Sequence, residues 1–186
     1  MKEDTDPSFS EELAGLPEWD RAFWLSRAFL EASRCLCQSM SEGGFSSQYS
    51  SSRVILHLSR QAIELFLKGS IGAASERGSA PMTHDLNKLF LEYRRLYPEL
   101  RFLFKIPLRF NVGPNFELFP DDQEQFHLTL DQRHRYPSDR RGNTFATKEE
   151  FDPIAILKEL DELDHELKVL EWAHIRPHLC GKPEIK

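Results

Sequence analysis

Apolar residues recur at helical spacing in four stretches of this chain, and polar runs mark where the helices stop. From Pro17 to Met40, the residues Trp19, Phe23, Phe29, Leu30, Leu36 and Met40 fall near one stripe, which predicts a first helix. "SEGGFSSQYSSS" then breaks it with Gly and Ser. A second helix is predicted from Ser51 to Ser75, with Ile55, Leu58, Ala62, Leu65 and Phe66 as its apolar seam, and "SERGSAPM" turns the chain after it. The third, "THDLNKLFLEYRRL", puts Leu86, Leu89, Phe90 and Tyr93 on its inner face. Thr83 is its expected N-cap, because a hydroxyl there can accept from a free first-turn amide, and Asp85 suits the positive helix end. In the last helix Asp152 is the N-cap and Pro153 takes the first position, where its missing amide costs nothing. Ile156, Leu160, Leu163, Leu167 and Leu170 then form a continuous seam up to an expected stop at Pro177.

Residues 98–148 lack that period and carry Pro98, Pro107, Pro114, Pro120 and Pro137. "NFELF" and "FHLTL", on either side of "PDDQEQ", read as a small β-hairpin or extended excursion. The expected fold is all-α: an up-and-down helical bundle of four main helices, with a long irregular or small β excursion between the third and the last. Residues 1–15 read as a flexible acidic lead-in, residues 16–180 as a single helical domain, and residues 98–148 as its insertion.

Composition narrows the function classes. A length of 186 residues suits one domain with a real core, and 40% hydrophobic with 29% charged residues is a globular balance. The net charge of −6 gives no global steering towards nucleic acid, so a polyanion site must be a local patch. No apolar run approaches the roughly 18 residues of a membrane span, and the opening "MKEDTDPSFSEELAG" lacks the apolar core of a signal peptide. The three cysteines have no framework spacing; reduced thiols and a cytoplasmic location are expected.

Candidate chemistry sits in two places. On the second helix Arg53, His57, Arg60, Glu64 and Lys68 share one face. Either this is a solvated face with Arg60–Glu64 and Glu64–Lys68 pairs, or it is a polar stripe lining a groove, with Glu64 and Lys68 as partners beside a ligand. The second place is "RHRYPSDRRGN". Its net charge is +3 over residues 133–141 with His134 neutral. Arginine forks suit phosphate, Tyr136 can stack on a ring, and Pro137 biases Tyr136 to an extended backbone. The competing reading is a loop pinned to the helices through Arg135 and Asp139. Asp161, Glu162, Asp164, His165 and Glu166 read as a solvated face. Cys35 and Cys37 point to different sides of a helix, and Pro177 interrupts the His174–His178 spacing, so neither a metal nor a cofactor is expected. Gly-x-Ser-x-Gly and Gly-rich phosphate-loop motifs are absent.

Taken in order, "AIELFLKG" (62–69), "THDLNKL" (83–89), "RYPSD" (135–139) and a long final helix resemble the HEPN family over roughly residues 20–178. The resemblance implies a dimerising helical bundle that interacts with a nucleotide or RNA. It also implies a partner role in nucleotidyltransferase, toxin–antitoxin or phage-defence systems. Many members are metal-independent RNases, in which Arg holds the phosphate and a His roughly four to six residues later moves the ribose proton. Arg53–His57, Arg133–His134 and Arg176–His178 all miss that spacing. "RYPSD" is similar to a branch with Arg-Tyr-Pro-Asp, with one Ser added before Asp139. The resemblance therefore implies a non-catalytic module with ligand contacts at Arg135, Tyr136, Pro137 and Asp139, and Glu64, Lys68, His84 and Asp85 match its two earlier motifs as scaffold; the polar stripe of the second helix adds Arg60, Glu64 and Lys68 as candidate ligand contacts. Two alternatives stay open. One is a metal-independent ribonuclease with His134 as base, its pKa lowered between arginines, and Arg133 or Arg135 on the phosphate. The other is a purely structural dimerisation or interaction domain docking through the leucine seam.

Overall fold

The computed structural model describes residues 13–75, 78–107, 136, 138, 142 and 151–180. Helix α1 runs over Glu18–Ser41, α2 over Gln48–Ala74, α3 over Leu86–Leu96 and α4 over Pro153–Val169. A 3-10 turn, Leu100–Phe102, follows α3. From α4 the chain continues through a π-helical turn, Leu170–Ile175, into α5, Arg176–Cys180. The described chain is thus helical, as the apolar periods predict. "NFELF" and "FHLTL" lie outside the described residues. No helix among the described residues is long and apolar enough to cross a membrane.

The caps correct the predicted boundaries. α2 starts at Gln48 rather than Ser51, because the Ser47 hydroxyl accepts from the Ser50 amide at 3.3 Å. Thr83 does not cap α3. Asp85 does, its Oδ1 accepting from the amides of Asn87 (3.0 Å) and Lys88 (3.2 Å), where a carboxylate also answers the positive helix end. The Thr83 hydroxyl accepts from the Asp85 amide one step outside. Asp152 caps α4 as expected, at 2.9 Å from the Ile154 amide, with Pro153 first in the helix. Pro177 does not end the last helix. In the π turn the Arg176 amide bonds to the Glu171 carbonyl, five residues back. That resets the ladder, so Pro177 falls second in a new α segment, where a missing amide costs little.

α1 and α2 pack along each other, α4 lies mainly on α1, and α3 on α2. α1 and α2 approach closely at Gly69: a Cβ there would stand 2.9 Å from the Trp19 carbonyl oxygen and 3.1 Å from the Phe23 ring. Ile55, Ala62, Ile63, Phe66 and Leu67 of α2 are buried, whereas Leu58 and Leu65 are only half-buried. Ile156, Leu160, Leu163, Leu167 and Leu170 are all buried in the domain's own core. A docking partner cannot use that seam, which removes the structural alternative in the form that relied on it.

The start of the predicted insertion also belongs to the core. Phe102, Phe104 and Ile106 are buried while Leu103 and Lys105 between them are exposed, the two-residue period of an extended segment. Phe104 packs edge-on to Phe66 and Phe90 at 5.5 Å and to Tyr93 at 5.6 Å. The Tyr93 hydroxyl donates to the Phe102 carbonyl (2.6 Å) and that of Tyr97 to the Ser70 carbonyl (2.9 Å), so two buried phenols are satisfied. Burial pushes both phenols well above their usual range.

The acidic face of α4 is not uniformly solvated either. Asp164 is buried, at 3.3 Å from Arg34 and 2.7 Å from Lys168, and Asp161 meets Arg34 at 2.6 Å. Glu166 is half-buried. Burial raises its pKa, against the opposing effect of a hydrogen bond from the Lys105 amide.

Two outcomes are expected. Alanine at position 69 would gain about 1 kcal/mol of helix propensity. It would also push a methyl into a backbone carbonyl, and overpacking of that kind costs about 1–3 kcal/mol. Gly69→Ala should therefore destabilise on balance, read as a lower denaturant midpoint. The Glu166 carboxyl holds its proton more tightly folded than unfolded, so its contribution is present at low pH and lost as pH rises through the raised value. Glu166→Gln should melt higher than the parent at about pH 7.5 and alike at about pH 3.5, where both are uncharged.

Candidate functional site

The polar stripe of α2 does not face water as a unit. Arg60 is 0% exposed and Glu64 2%, so the solvated-face reading fails at both. Their cover is the chain entering α3. Glu64 is the hub: its Oε1 lies 2.8 Å from Lys68 Nζ and 2.9 Å from His84 Nδ1, and its Oε2 lies 3.4 Å from Arg60 Nη1. Arg60 also donates through Nη2 to the His84 carbonyl. Helical spacing explains the first half of this arrangement, since Arg60, Glu64 and Lys68 stand at successive i,i+4 steps. The second half comes from residues twenty and more positions away, held in place by the Asp85 cap.

The cluster is graded from inside to outside. Arg60 is enclosed, Lys68 keeps 22% of its side chain exposed, and the His84 side chain is 71% exposed. A carboxylate buried beside cations remains ionised only where the pairing geometry repays its desolvation. Both Glu64 oxygens meet positively charged or donor groups. The exposed imidazole is oriented from below through Nδ1, which leaves Nε2 as the nitrogen not engaged with Glu64. Lys68 likewise has one described partner and two further ammonium hydrogens. What reaches the surface is thus an oriented imidazole and an ammonium, His84 and Lys68, over the buried Glu64 carboxyl group.

Other candidate residues are distributed as follows. Arg53 donates to the Tyr49 hydroxyl at 2.8 Å and to the Tyr136 carbonyl, and its guanidinium lies 5.5 Å from the Tyr49 ring centre. Tyr136 is half-exposed and is tied to α2 about two turns before Arg60. Arg133, His134, Arg135, Pro137 and Asp139 lie outside the described residues. The structure therefore brings Arg60, Glu64 and Lys68 together, adds His84 to them, and joins Tyr136 to the same helix through Arg53.

A second buried polar cluster carries no counterpart in the sequence reading. Glu171, 2% exposed, receives Arg176 Nε at 2.9 Å and Nη2 at 2.7 Å, with Arg27 Nη2 at 3.7 Å; Arg176 also pairs with Asp20. Burial works against the Arg176 charge, and the bonds to Asp20 and Glu171 more than offset it, raising its pKa. Residues five apart do not align on an α-helix. The π turn aligns Glu171 with Arg176, and no local motif announced that turn. Arg27 of this cluster also lies over the exposed Trp24 ring (4.1 Å) and near Trp172 (5.6 Å). His174 and His178 pack edge-on against Phe102. Among the described residues no group of three or more His, Cys, Asp or Glu gathers to hold a metal.

The grading of the first cluster predicts graded mutational costs. Glu64→Ala takes the carboxylate from a buried guanidinium and should cost about 3–5 kcal/mol. His84→Ala removes an exposed ring and should cost less than about 1 kcal/mol. Urea unfolding of both variants checks the order; equal losses would contradict Glu64 as the hub.

No family model, no curated protein and no solved structure matches this chain.

Proposed function

We propose that this chain is a HEPN-like up-and-down bundle that holds a nucleotide or an RNA phosphate without cutting it. It would act as a partner module in a nucleotidyltransferase, toxin–antitoxin or defence system. The observation that carries the reading is the meeting of three separate motifs on α2. The "AIELFLKG" and "THDLNKL" stretches are joined by the Glu64–His84 contact at 2.9 Å, and "RYPSD" touches the same helix where the Tyr136 carbonyl accepts from Arg53. Cations at the surface here are Arg53 and Lys68 on α2 and Lys88 on α3, beside the His84 ring, the kind of local cationic patch that an acidic chain needs to hold a phosphate. Arg135, Pro137 and Asp139 enter the proposal from the sequence, as the fork and the rigid backbone flanking Tyr136.

Arg60 and Glu64 change role within this reading. Being enclosed, they orient His84 and Lys68 rather than touch a ligand. The homodimer implied by the resemblance cannot use the leucine seam; the exposed Trp24 and Trp172 on either side of Arg27 supply apolar surface for it instead.

Titration of the purified protein with ATP and with a short single-stranded RNA, at low and at physiological salt, tests the proposal. Binding that weakens with salt is expected. Loss of one phosphate contact in Arg135→Ala or Lys68→Ala should weaken it about tenfold, or about 1.4 kcal/mol, with the helical spectrum unchanged. RNA should remain intact in the presence of a chelator. A wild type that binds neither probe defeats the proposal, and chelator-resistant cleavage lost in His134→Ala would replace it with the ribonuclease reading.

A further inference from the structure

Between the first half of α1, the second half of α2 and the connection leading to α3 lies an open cavity of about 590 Å³. That volume falls within the range of small-molecule sites. Its body is apolar: Ala22, Leu25, Leu65 and Gly72, with Trp19 as one wall and the fully exposed Met82 at its rim. The space exists because small residues line it and the backbone closes its end. A Cβ on Gly72 would stand 3.1 Å from Trp19 Cβ and 3.3 Å from the Gly78 carbonyl oxygen, so glycine is what lets the connection fold back here. Gly78 makes that turn with φ +64°. Leu65, half-buried although it sits on the apolar seam of α2, is explained by facing this cavity.

The charged groups on the walls are Glu18, Arg21 and Lys68. Glu18 occupies the first position of α1, where no side-chain cap is present, and its charge answers the positive helix end. Lys68 stands in the wall with one described partner, Glu64, and Arg21 has none among the described residues. An apolar chamber with an ammonium and a guanidinium at its walls is complementary to a molecule with an apolar body and one negative end.

We propose that this cavity binds a small organic carboxylate with an apolar tail, of the medium-chain acyl type, its head on Lys68 and Arg21 and its tail along Trp19, Leu25 and Leu65. Buried in part beside an apolar wall, the Lys68–carboxylate contact discriminates the acid from its neutral alcohol. This site goes beyond the phosphate reading and shares only Lys68 with it.

Decanoate, below its micellar concentration, is the probe, and 1-decanol its neutral counterpart. Calorimetry should show one decanoate per chain, with decanol weaker by about tenfold or more, the loss of about one charge-assisted contact. Lys68→Met should narrow the gap between the two probes and Lys68→Met with Arg21→Met should close it, and Ala22→Phe, which fills the chamber, should weaken both at least about tenfold while ATP titration is unaltered. Proton–carbon NMR of the wild type should place the decanoate shifts on the Trp19 indole and the Met82 methyl, a readout that does not depend on any variant folding. Equal affinity for decanol, unchanged binding in Ala22→Phe, shifts confined to other residues, or no binding each overturns the inference. Failure with ATP binding intact sinks the cavity alone; failure to bind ATP with decanoate bound sinks only the phosphate reading.

Discussion

A carboxylate and a guanidinium sit inside the apolar packing of this domain, and the arrangement of α2 and α3 follows from having to satisfy them. Arg60 cannot lose its charge and is fully enclosed, so it needs acceptors wherever it points. It finds Glu64 one turn along its own helix and the His84 carbonyl across the gap. The second acceptor is the backbone of the residue preceding the α3 cap. Arg60 thus ties the chain just before the α3 cap to α2, with the His84 ring over Glu64 and Lys68 at the wall of the neighbouring cavity. A hydrophobic pair of equal volume at 60 and 64 would pack as well or better. It would not hold an imidazole and an ammonium in one geometry at the surface.

The same solution recurs on the other side of α1. Glu171 is as buried as Glu64 and gathers Arg176 and Arg27, with Asp20 as a further acceptor for Arg176. The device differs: an α-helix aligns residues four apart, and here a π turn aligns residues five apart. Arg34 adds a third link from α1 to α4 through Asp161 and Asp164. The helices thus meet through apolar seams edged by paired charges, and the face of α2 next to the start of α3 is where such charges reach solvent beside a cavity. A phosphate at His84 and Lys68 and a carboxylate in the chamber would compete for one ammonium, so the two proposed ligands are expected to be linked rather than independent.

Where sequence reasoning failed, it failed for identifiable reasons. Thr83 and Asp85 both carry capping oxygens within three residues, and which one caps depends on where the chain leaves its turn, where Arg60 binds the His84 carbonyl from twenty-four residues away. Pro177 obeys the rule that proline interrupts an α ladder; the ladder shifts register ahead of it instead of stopping. Asp164 and Glu166 share a run with exposed carboxylates, and it is contacts with Arg34 on α1 and with the Lys105 amide, far off in sequence, that distinguish them. Phe102, Phe104 and Ile106 alternate correctly for an extended core segment, but the prolines around them drew the whole stretch into the insertion.

The chain by itself determined the helices, because a three- and four-residue apolar period has one way to be buried, and it determined the Asp152–Pro153 start and the leucine seam of α4. It also determined that Arg60, Glu64 and Lys68 share a face. Whether that face meets water or protein was not in it, since i,i+4 charges at helical spacing read the same in either setting. The tertiary structure decided that, by laying the His84 backbone over Arg60 and the His84 ring against Glu64. Burial is a property of what arrives from elsewhere in the chain, and it turned an ordinary charged stripe into an enclosed pair beneath an ammonium and an exposed imidazole.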